Sequence, residues 1–301
     1  MEQKIFIDEK HRILTGEQAE EALRRRNDAS FLNPDKGVMR VSNERWKAAQ
    51  EFERNYWLEE CAGSDDDRNY DHYQHFDGYS ALRGKTFEDA IELGCGPFTN
   101  LRLISQECTV RRCTLLDPLL ETYRREHNNC TYDQNWLHSK HNRLYRRLGA
   151  SKPLRAVRRL MNKVAPGLLR GKTPVRRLIP APIEEMPVDH TYDLIVIINV
   201  IEHCYDIDLV FANILKVARE NAVLVFSDKY YDREKIARWA QGERFDVGHP
   251  LVIDRSVLQA FLHDHFESIY ERVVAHPWEV EGVDFSYDAV YFIGRKKGKA
   301  S

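Results

Sequence analysis

The chain has 301 residues, of which 43% are hydrophobic, and its 45 Lys and Arg against 47 Asp and Glu give a net charge of −2 at pH 7. This length and hydrophobic content suffice to bury a core in one large domain with additions, and they exclude an intrinsically disordered chain. The longest apolar run, Leu194 to Ile198, is strand-sized and too short to span a bilayer.

Two further features concern the cellular compartment. The N-terminal residues MEQKIFIDEK carry charges where a signal peptide has an apolar segment, so we expect a cytoplasmic protein. The sequence does not exclude peripheral contact of the protein with a membrane surface. The six cysteines form no C-x-x-C pair, which argues against a zinc ribbon or a disulfide framework and predicts reduced, mostly buried thiols.

The first 85 residues differ in pattern from the rest of the chain. They show no alternation of apolar and polar residues, and two segments, Gly16–Arg26 and Asn43–Cys61, have helical composition. We predict an N-terminal helical extension or cap over residues 1–85 and a main domain over residues 86–301. An aromatic and histidine-rich run, Tyr70 to Leu82, leads from one to the other.

Strand-like and helical segments alternate from residue 89 onward. Such alternation predicts an α/β fold with a mostly parallel, Rossmann-like seven-stranded sheet, right-handed crossovers and helices on both faces. The predicted strands are 89–93, 113–116, 177–181, 193–199, 222–227, 268–275 and 289–294, and the predicted helices are 99–107, 119–127, 207–219 and 254–266.

The turn after the first of these strands reads ELGCGPFTN, Glu92 to Asn100. Gly94 and Gly96 lack a Cβ, so the backbone there can adopt positive φ and approach a ligand closely. About twenty residues later, Asp117 ends the second strand, where a carboxylate can accept hydrogen bonds from two ribose hydroxyls. A strand, a G-x-G turn, a helix and this acid together indicate a nucleoside-containing cofactor.

Two such cofactors compete for the turn. A dinucleotide site would have a third glycine three residues after Gly96, where this chain has Thr99. Glu92, directly before the turn, would repel a pyrophosphate but suits a cationic amino acid group. S-adenosylmethionine carries an ammonium and a sulfonium group and no phosphate, so charge favours it.

These motifs resemble those of class I S-adenosylmethionine-dependent methyltransferases. AIELGCGPFTNLRLI is similar to the family's first motif, TLLDP to its second-strand acid, APIEEMPVDHTYDLIVIINVIEH to the segment through the fourth strand, and NAVLVFSD to the fifth strand. The resemblance covers roughly residues 89–294. It implies the Rossmann-like fold and S-adenosylmethionine as cofactor, and it does not identify the acceptor.

The resemblance also implies positions for the cofactor. It places the turn residues beside the methionine part, Asp117 at the ribose and the backbone amide of Ile183 at the adenine. The full set of implied cofactor-binding residues is Glu92, Gly94, Cys95, Gly96, Asp117, Ile183, Glu184, Asn199 and Val200. The chain departs from the family at Phe98, where a small residue is common, and at Pro182, where an Asp is common and Glu184 is the available substitute.

Methyl transfer needs alignment of the acceptor and, for a hydroxyl, a base. His203, in NVIEHCYD after the fourth strand, is the predicted general base; the alternative is that it caps a helix or packs under the loop. NVIE is unlike the N-P-P-Y pattern of amine methylation of bases, and Cys204 lacks the context of a nucleophile. Asp206 and Asp228 could bind a metal ion, but lone acids at strand ends are usually solvated or cap helices, so we expect no metal.

The aromatic run could contribute to the acceptor side. If the N-terminal segment folds back over the cofactor pocket, Tyr73, His75 and Tyr79 would line an acceptor pocket. The alternative is an aromatic packing layer between the N-terminal segment and the sheet, and the sequence favours this alternative.

A basic insertion is predicted over about residues 131–178. Residues 134–183 contain thirteen Lys and Arg and no Asp or Glu, although the chain as a whole is slightly acidic. Apolar residues at helical spacing within it predict an amphipathic helix that ends at Pro166-Gly167. Arg155 and Arg159 are candidate ligands for a phosphate group, because Arg offers paired donors to phosphate.

Three roles for this insertion stay open: docking on the domain, binding an anionic acceptor, and binding nucleic acid or an anionic membrane. We favour methyl transfer to a hydroxyl of a small-molecule or glycan-like acceptor, with a phosphorylated acceptor as one option. The alternatives are an RNA methyltransferase, which is less favoured because no RNA-binding module is recognisable, and a non-catalytic cofactor-binding scaffold.

Overall fold

The structure is a computed structural model. It describes residues 4–8, 10, 12–25, 31–33, 36–60, 76–127, 130, 132, 174–240, 244–277, 279–280, 283–284 and 286–298. Tyr73, His75, Arg155, Arg159 and most of the predicted basic insertion, with its amphipathic helix, lie outside the described residues.

Strands and helices alternate through the main domain. The strands are β1 (Ile5–Ile7), β2 (Ile13–Thr15), β3 (Phe31–Asn33), β4 (Gly37–Arg40), β5 (Thr86–Leu93), β6 (Thr109–Leu116), β7 (Val175–Ile179), β8 (Tyr192–Ile198), β9 (Ala218–Tyr230), β10 (Arg244–Asp246), β11 (Val252–Ile253), β12 (Phe266–His276), β13 (Glu279–Val280), β14 (Val283–Asp284) and β15 (Tyr287–Lys296). The α-helices are α1 (Gly16–Arg25), α2 (Asn43–Asn55), α3 (Leu101–Ile104), α4 (Leu120–Glu126), α5 (Ile207–Val217), α6 (Arg233–Ala240) and α7 (Arg255–His265). Shorter helical turns lie at Tyr56–Glu60, Asp77–Leu82, Ile183–Glu185 and Ile201–His203.

The central sheet has seven strands in the order β12-β15-β9-β8-β5-β6-β7. Strands β9, β8, β5, β6 and β7 run parallel, whereas β15 is antiparallel to both β9 and β12. The apolar run of β8 is buried on both faces, as expected for a strand covered by two layers. The predicted mostly parallel, Rossmann-like sheet is therefore confirmed.

The order of the strands reverses between β5 and β8. Chain connections lead away from β5 on one side through β6 and β7, and on the other side through β8 and β9. The loops that follow β5 and β8 therefore diverge to opposite faces and leave a crevice at the carboxyl edge of the sheet, where ligands bind in folds of this kind. Within the described part of the chain, no helix combines the length and the apolar character needed to cross a bilayer.

The N-terminal segment contains the two predicted helices and also strands that the sequence analysis did not predict. β1 pairs with β10, and β4 pairs with β11, so this segment joins sheets with residues from the C-terminal half. The four strands before residue 41 have three or four residues each. Strands this short show no alternation in the sequence, which is why the sequence analysis predicted only the helices of this segment.

Two predicted helices are shorter than expected. The helix predicted over residues 99–107 is regular only in α3, Leu101–Ile104, and continues as turns. The helix predicted over residues 207–219 ends at Val217, because Ala218 already pairs with Tyr192 in the sheet. Sheet pairing of this kind is a long-range contact that local helix propensity does not register.

Candidate active site

A cavity of about 530 Å³ opens at the carboxyl edge of the sheet, at the reversal of the strand order. Its walls come from the turn after β5, the loop after β6, the turn at Ile183–Glu185, the loop after β8 and helix α2 with the turn that follows it. This size lies within the usual range of small-molecule sites.

Gly94 and Gly96 shape the turn after β5. Both have positive φ, at 68° and 53°. A Cβ on Gly94 would lie 2.5 Å from both Cγ atoms of Val200, whereas a Cβ on Gly96 would meet nothing within 4 Å. The turn is therefore packed tightly against the loop after β8 at Gly94 and is open to the cavity at Gly96.

Gly94→Ala is expected to destabilise the protein by about 2–4 kcal/mol, from left-handed backbone strain and from the clash with Val200. Urea denaturation measures the change. Gly96→Ala is the matched control, since it has the same strain without the clash and should cost about 1–2 kcal/mol. Adding Val200→Ala should recover part of the Gly94→Ala loss; equal losses for the two glycine variants would contradict the steric account.

Glu92 lies beneath this turn and is only 1% exposed. Its carboxylate accepts hydrogen bonds from the Asn100 amide at 2.8 Å, the Leu101 amide at 3.2 Å and the Thr99 hydroxyl. Burial raises the pKa of Glu92 to about 6, and these hydrogen bonds oppose that rise. Glu92 does not line the cavity. Its carboxylate holds the turn and the start of α3. A contact of Glu92 with the methionine part of the cofactor stays a prediction.

Asp117 and Cys95 both line the cavity. The Asp117 carboxylate accepts hydrogen bonds from the Gly96 amide at 2.9 Å and from the Leu119 amide at 2.8 Å, which ties the two loops together. Burial raises its pKa to about 6 against the effect of these bonds. The Cys95 thiol donates to the Tyr132 hydroxyl at 3.4 Å, and burial raises the pKa of this thiol, so it is an inert wall residue.

Ile183 and Glu184 form the opposite wall. Asn213 donates from Nδ2 to the carbonyl oxygens of both residues at 3.0 Å. Glu184 Oε1 accepts from the Asp206 amide at 3.1 Å, while its Oε2 is buried without a hydrogen-bond partner. Within the described part of the chain, the Ile183 amide also has no acceptor. One free donor and one free acceptor beside the cavity match the edge of an adenine ring.

Asn199 and Val200 follow β8 and line the cavity. Asn199 has a φ of 56°, and its amide donates to the Ser227 carbonyl at 2.7 Å. Asp228 Oδ2 accepts from the amides of Val200 at 3.0 Å and Ile201 at 2.8 Å. The loop after β8 is thus held in an unusual backbone conformation by groups at the end of β9.

The two acids considered for a metal ion both have structural roles. Asp228 binds the loop amides described above, and burial raises its pKa to about 6. Asp206 is the N-cap of α5 and accepts from the Asp208 and Leu209 amides at 3.1 and 3.2 Å. Neither acid lines the cavity.

The predicted base, His203, lines the cavity with 15% of its side chain exposed. Its Nδ1 lies 3.1 Å from the Gly248 carbonyl oxygen and 3.5 Å from Glu53 Oε1, and its Nε2 lies 3.8 Å from Glu202 Oε1. Burial lowers the pKa of His203; the carboxylate of Glu53 acts in the opposite direction. The ring is therefore mainly neutral at neutral pH.

Four charged groups act on His203: Glu53, Glu202, Lys229 and His249, and His249 in turn contacts Asp246. Lys229 forms an ion pair with Glu202, whose other oxygen accepts from the Tyr231 hydroxyl at 3.1 Å. His249 lies between Asp246 and Glu202. Lys229 and His249 also line the cavity.

A family model described as a methyltransferase domain matches residues 67–266, more than half of the 301 residues. The chain belongs to this methyltransferase family. Its sheet order, its G-x-G turn and the acid after β6 agree with a class I, S-adenosylmethionine-dependent enzyme. The sequence has no significant match among curated proteins.

Solved structures similar to this methyltransferase include three enzymes of related description. The N-methyltransferase NodS from Bradyrhizobium japonicum, bound to S-adenosylhomocysteine, is 13% identical; the match covers 85% of this chain and 100% of NodS, with a TM-score of 0.49. A SAM-dependent methyltransferase from Leishmania major is 14% identical over 97% of this chain and 96% of its own, with a TM-score of 0.48. The 1,6-didemethyltoxoflavin-N1-methyltransferase from Burkholderia thailandensis is 12% identical over 86% and 92%, with a TM-score of 0.42.

The cavity of the methyltransferase fits S-adenosylmethionine. The space at Gly96 is open, the Asp117 carboxylate lies beside it, and Ile183 and Glu184 line the opposite wall. The two departures from the family pattern also line the cavity. Phe98 packs edge-on against Trp57 and His127, with ring centroids 5.8 and 5.2 Å apart, so it fills the space behind the turn.

The sequence analysis missed the residues of α2 and the following turn that line the cavity: Trp46, Gln50, Phe52, Glu53, Tyr56 and Trp57. The sequence signal that could have identified them is the set of aromatic residues that lie between charged residues in segment 43–61. The Arg45 guanidinium donates to the carbonyl oxygens of Val247 and Asp246, and a Cβ on Gly248 would lie 2.2 Å from the Phe52 ring. These contacts hold α2 over the cavity.

Tyr79 does not line the cavity. It is 2% exposed and lies against Phe76, with ring centroids 4.5 Å apart; Phe76 in turn stacks on Tyr270 of β12. The expectation that Tyr79 contacts the acceptor is therefore corrected: it belongs to a packing layer between the turn at residues 77–82 and the sheet. Aromatic residues next to the start of a sheet fill core space by default.

Glu53, His203 and His249 could in principle hold a metal ion, since one ligand atom of each lies within 4.8 Å of the other two. The two ring nitrogens of His249, however, already lie next to the carboxylates of Asp246 and Glu202, and the Lys229 ammonium forms an ion pair with Glu202. A divalent cation here would be repelled by that ammonium. We keep the prediction that methyl transfer needs no metal.

Proposed function

We propose that this methyltransferase transfers the methyl group to a hydroxyl of a small-molecule acceptor, with His203 as the general base. The observation that carries the proposal is the position of the His203 ring, which lines the cavity while its Nδ1 lies 3.1 Å from the Gly248 carbonyl oxygen. A carbonyl oxygen can only accept a hydrogen bond.

That contact selects the tautomer of the neutral ring. With Nδ1 protonated and donating to Gly248, Nε2 carries the lone pair. Glu53 Oε1, 3.5 Å from Nδ1, favours the same arrangement because it too is an acceptor. Burial lowers the pKa of His203, so the ring keeps this lone pair at neutral pH.

S-adenosylmethionine supplies a methyl carbon attached to a cationic sulfur. The acceptor oxygen forms its bond to that carbon as the carbon–sulfur bond breaks, and the electron pair of the broken bond stays on sulfur. His203 takes the hydroxyl proton at Nε2. The resulting imidazolium lies 3.8 Å from the Glu202 carboxylate, which stabilises it.

The shape of the cavity favours a small acceptor over RNA. Helix α2 lies over the acceptor side, held by Arg45 and Phe52, and the cavity volume is about 530 Å³. Trp46, Tyr56 and Trp57 supply aromatic surface there, and Gln50 and Glu53 supply polar groups. Aromatic surface with a few polar groups suits a sugar or a phenol. A phosphate on the acceptor depends on Arg155 and Arg159 and stays a prediction.

An acceptor panel tests the proposal. S-adenosylhomocysteine release is measured with catechol, methyl glucoside and glucose 1-phosphate, with o-phenylenediamine as the amine analogue of catechol, and with a long structured RNA. We expect methylation on oxygen of at least one of the first three and no effect of EDTA. Methylation only of the diamine, or only of the RNA, would contradict the proposal.

A further inference from the structure

A second histidine, His249, lies beside His203 in the cavity, with the ring centroids 4.8 Å apart. It belongs to the loop between β10 and β11. Its Nδ1 lies 2.8 Å from Asp246 Oδ2, and its Nε2 lies 3.3 Å from Glu202 Oε1. The contact with Asp246 is a hydrogen bond and the contact with Glu202 is an ion pair at charge distance, and two facing carboxylates favour the imidazolium form of the ring. The geometry is that of a cation held between two anions.

The two anions are themselves held in place. Asp246 Oδ1 accepts from the Gly248 amide at 3.0 Å, and its Oδ2 lies 3.1 Å from an Arg244 nitrogen. Glu202, 2% exposed, is bonded to Lys229 and Tyr231. Burial alone would raise the pKa of Glu202, but neighbouring charges, chiefly those of His249 and Lys229, hold it at about 2. Both carboxylates therefore stay ionised.

The two histidines respond to these surroundings in opposite ways. Burial disfavours the charged form of His249, but the charges of Asp246 and Glu202 more than offset it, and its pKa is raised. The groups that face His203 are Glu53 from α2, Glu202 from its own turn, Lys229 from β9 and His249. The two carboxylates favour an imidazolium at His203, and the two cations oppose it.

We propose that His249 is a positioning residue for methyl transfer: its imidazolium, held between Asp246 and Glu202, adds to the effect of burial in keeping His203 neutral, so that Nε2 can take the proton of the acceptor. The functional consequence rests on the proposed role of His203 as base. The effect of the His249 charge on the pKa of His203 does not depend on that role, because it is a property of the protein without acceptor.

The test is a titration of the imidazole NMR signals of His203 in the full-length protein, compared among wild type, His249→Gln and His249→Lys. In His249→Gln the pKa of His203 is expected to rise by about one unit or more, because a neighbouring positive charge is lost. The acidic limb of kcat/KM with catechol should move to higher pH by the same amount. His249→Lys keeps the charge and should leave the pKa of His203 near that of wild type.

Several results would overturn the proposal. One is an unchanged or lowered pKa of His203 in His249→Gln; another is a His249→Lys variant that behaves like His249→Gln, since shape and not charge would then matter. If neither variant folds, the NMR spectrum of the wild-type protein tests the proposal. His249 must then have both ring nitrogens protonated at neutral pH, and a neutral His249 would contradict the proposal. His263→Gln, outside the cavity, is the matched control.

The outcomes also separate this proposal from the proposed function. If the pKa of His203 shifts as expected but His203→Gln retains full activity, the effect of His249 on the pKa of His203 is supported, and the role of His203 as general base is contradicted. If His203→Gln is inactive but the pKa of His203 does not shift in His249→Gln, the role of His203 as general base is supported and His249 has no positioning role.

Discussion

Replacing His203 with glutamine is expected to lower kcat for a hydroxyl acceptor by about 100-fold or more, the usual contribution of a general base. Glutamine can still donate a hydrogen bond to the Gly248 carbonyl, so the loop after β8 should keep its conformation. The affinity for S-adenosylhomocysteine should change by less than about twofold, since the variant removes a proton acceptor and no cofactor contact. Single-turnover kinetics and calorimetric titration measure the two quantities.

The pH profile adds a second readout. The pKa of His203 lies below its usual value of 6.5, so kcat/KM should fall only below that pH and be level above it. His263→Gln makes the same change on a half-exposed surface residue and should leave both quantities unaltered. A loss of less than about threefold in His203→Gln, or an equal loss of cofactor affinity, would contradict the role of a base.

Asp117→Ala is expected to weaken S-adenosylhomocysteine binding by about 100-fold, because hydrogen bonds from ribose hydroxyls to a carboxylate contribute about 1.5–3 kcal/mol. The variant also frees the Gly96 and Leu119 amides that the carboxylate holds. Asp117→Asn keeps one acceptor oxygen and should lose about tenfold. Calorimetric titration gives both dissociation constants.

The raised pKa of Asp117 predicts how this affinity depends on pH. Burial raises the pKa of Asp117 from its usual value of 3.8 to about 6 in the folded protein, so the ionised form predominates only above about pH 6. Ribose hydroxyls donate more strongly to the ionised form, and affinity should therefore rise with pH through about 6 and then level off. Asp117→Asn should remove this dependence.

The same group has the opposite effect on the stability of the cofactor-free protein. A carboxyl group whose pKa is higher folded than unfolded contributes stability that is present below about pH 4 and is lost as the pH rises through about 6. Asp189→Asn, on the surface, serves as the control for both measurements, since the charge of Arg177 beside it lowers the pKa of Asp189. A wild-type affinity that does not vary between about pH 5 and pH 8 would contradict the assignment of Asp117.

Local patterns were enough to predict the sheet and the cofactor side of the cavity. The apolar run of β8, the glycines of the turn after β5 and the acid at the end of β6 each lie within a few residues of the feature they specify. Gly94 and Gly96 do adopt positive φ, as their lack of a Cβ allowed. Parallel strands then bring these local features to one edge, because their carboxyl ends coincide.

Three other features could not be read from local patterns. Glu92 has the charge of a ligand-binding residue, yet four protein donors occupy its carboxylate. For Tyr79 the local pattern favoured packing without excluding an acceptor contact, and the fold places its side chain in the core. Strands β1 and β4 are too short to alternate and depend on partners, β10 and β11, that lie about 200 residues later.

The family, the cofactor and the position of His203 after the fourth strand of the predicted sheet could be predicted from the amino-acid sequence, because short, contiguous motifs encode them. The side chains around that histidine could be identified only from the folded chain. Glu53, Lys229 and His249 come from three separate elements, and contacts such as Arg45 with Val247 and Phe52 with Gly248 bring two of those elements together. Such convergence depends on packing between distant segments, and packing leaves no periodic signal in a single sequence.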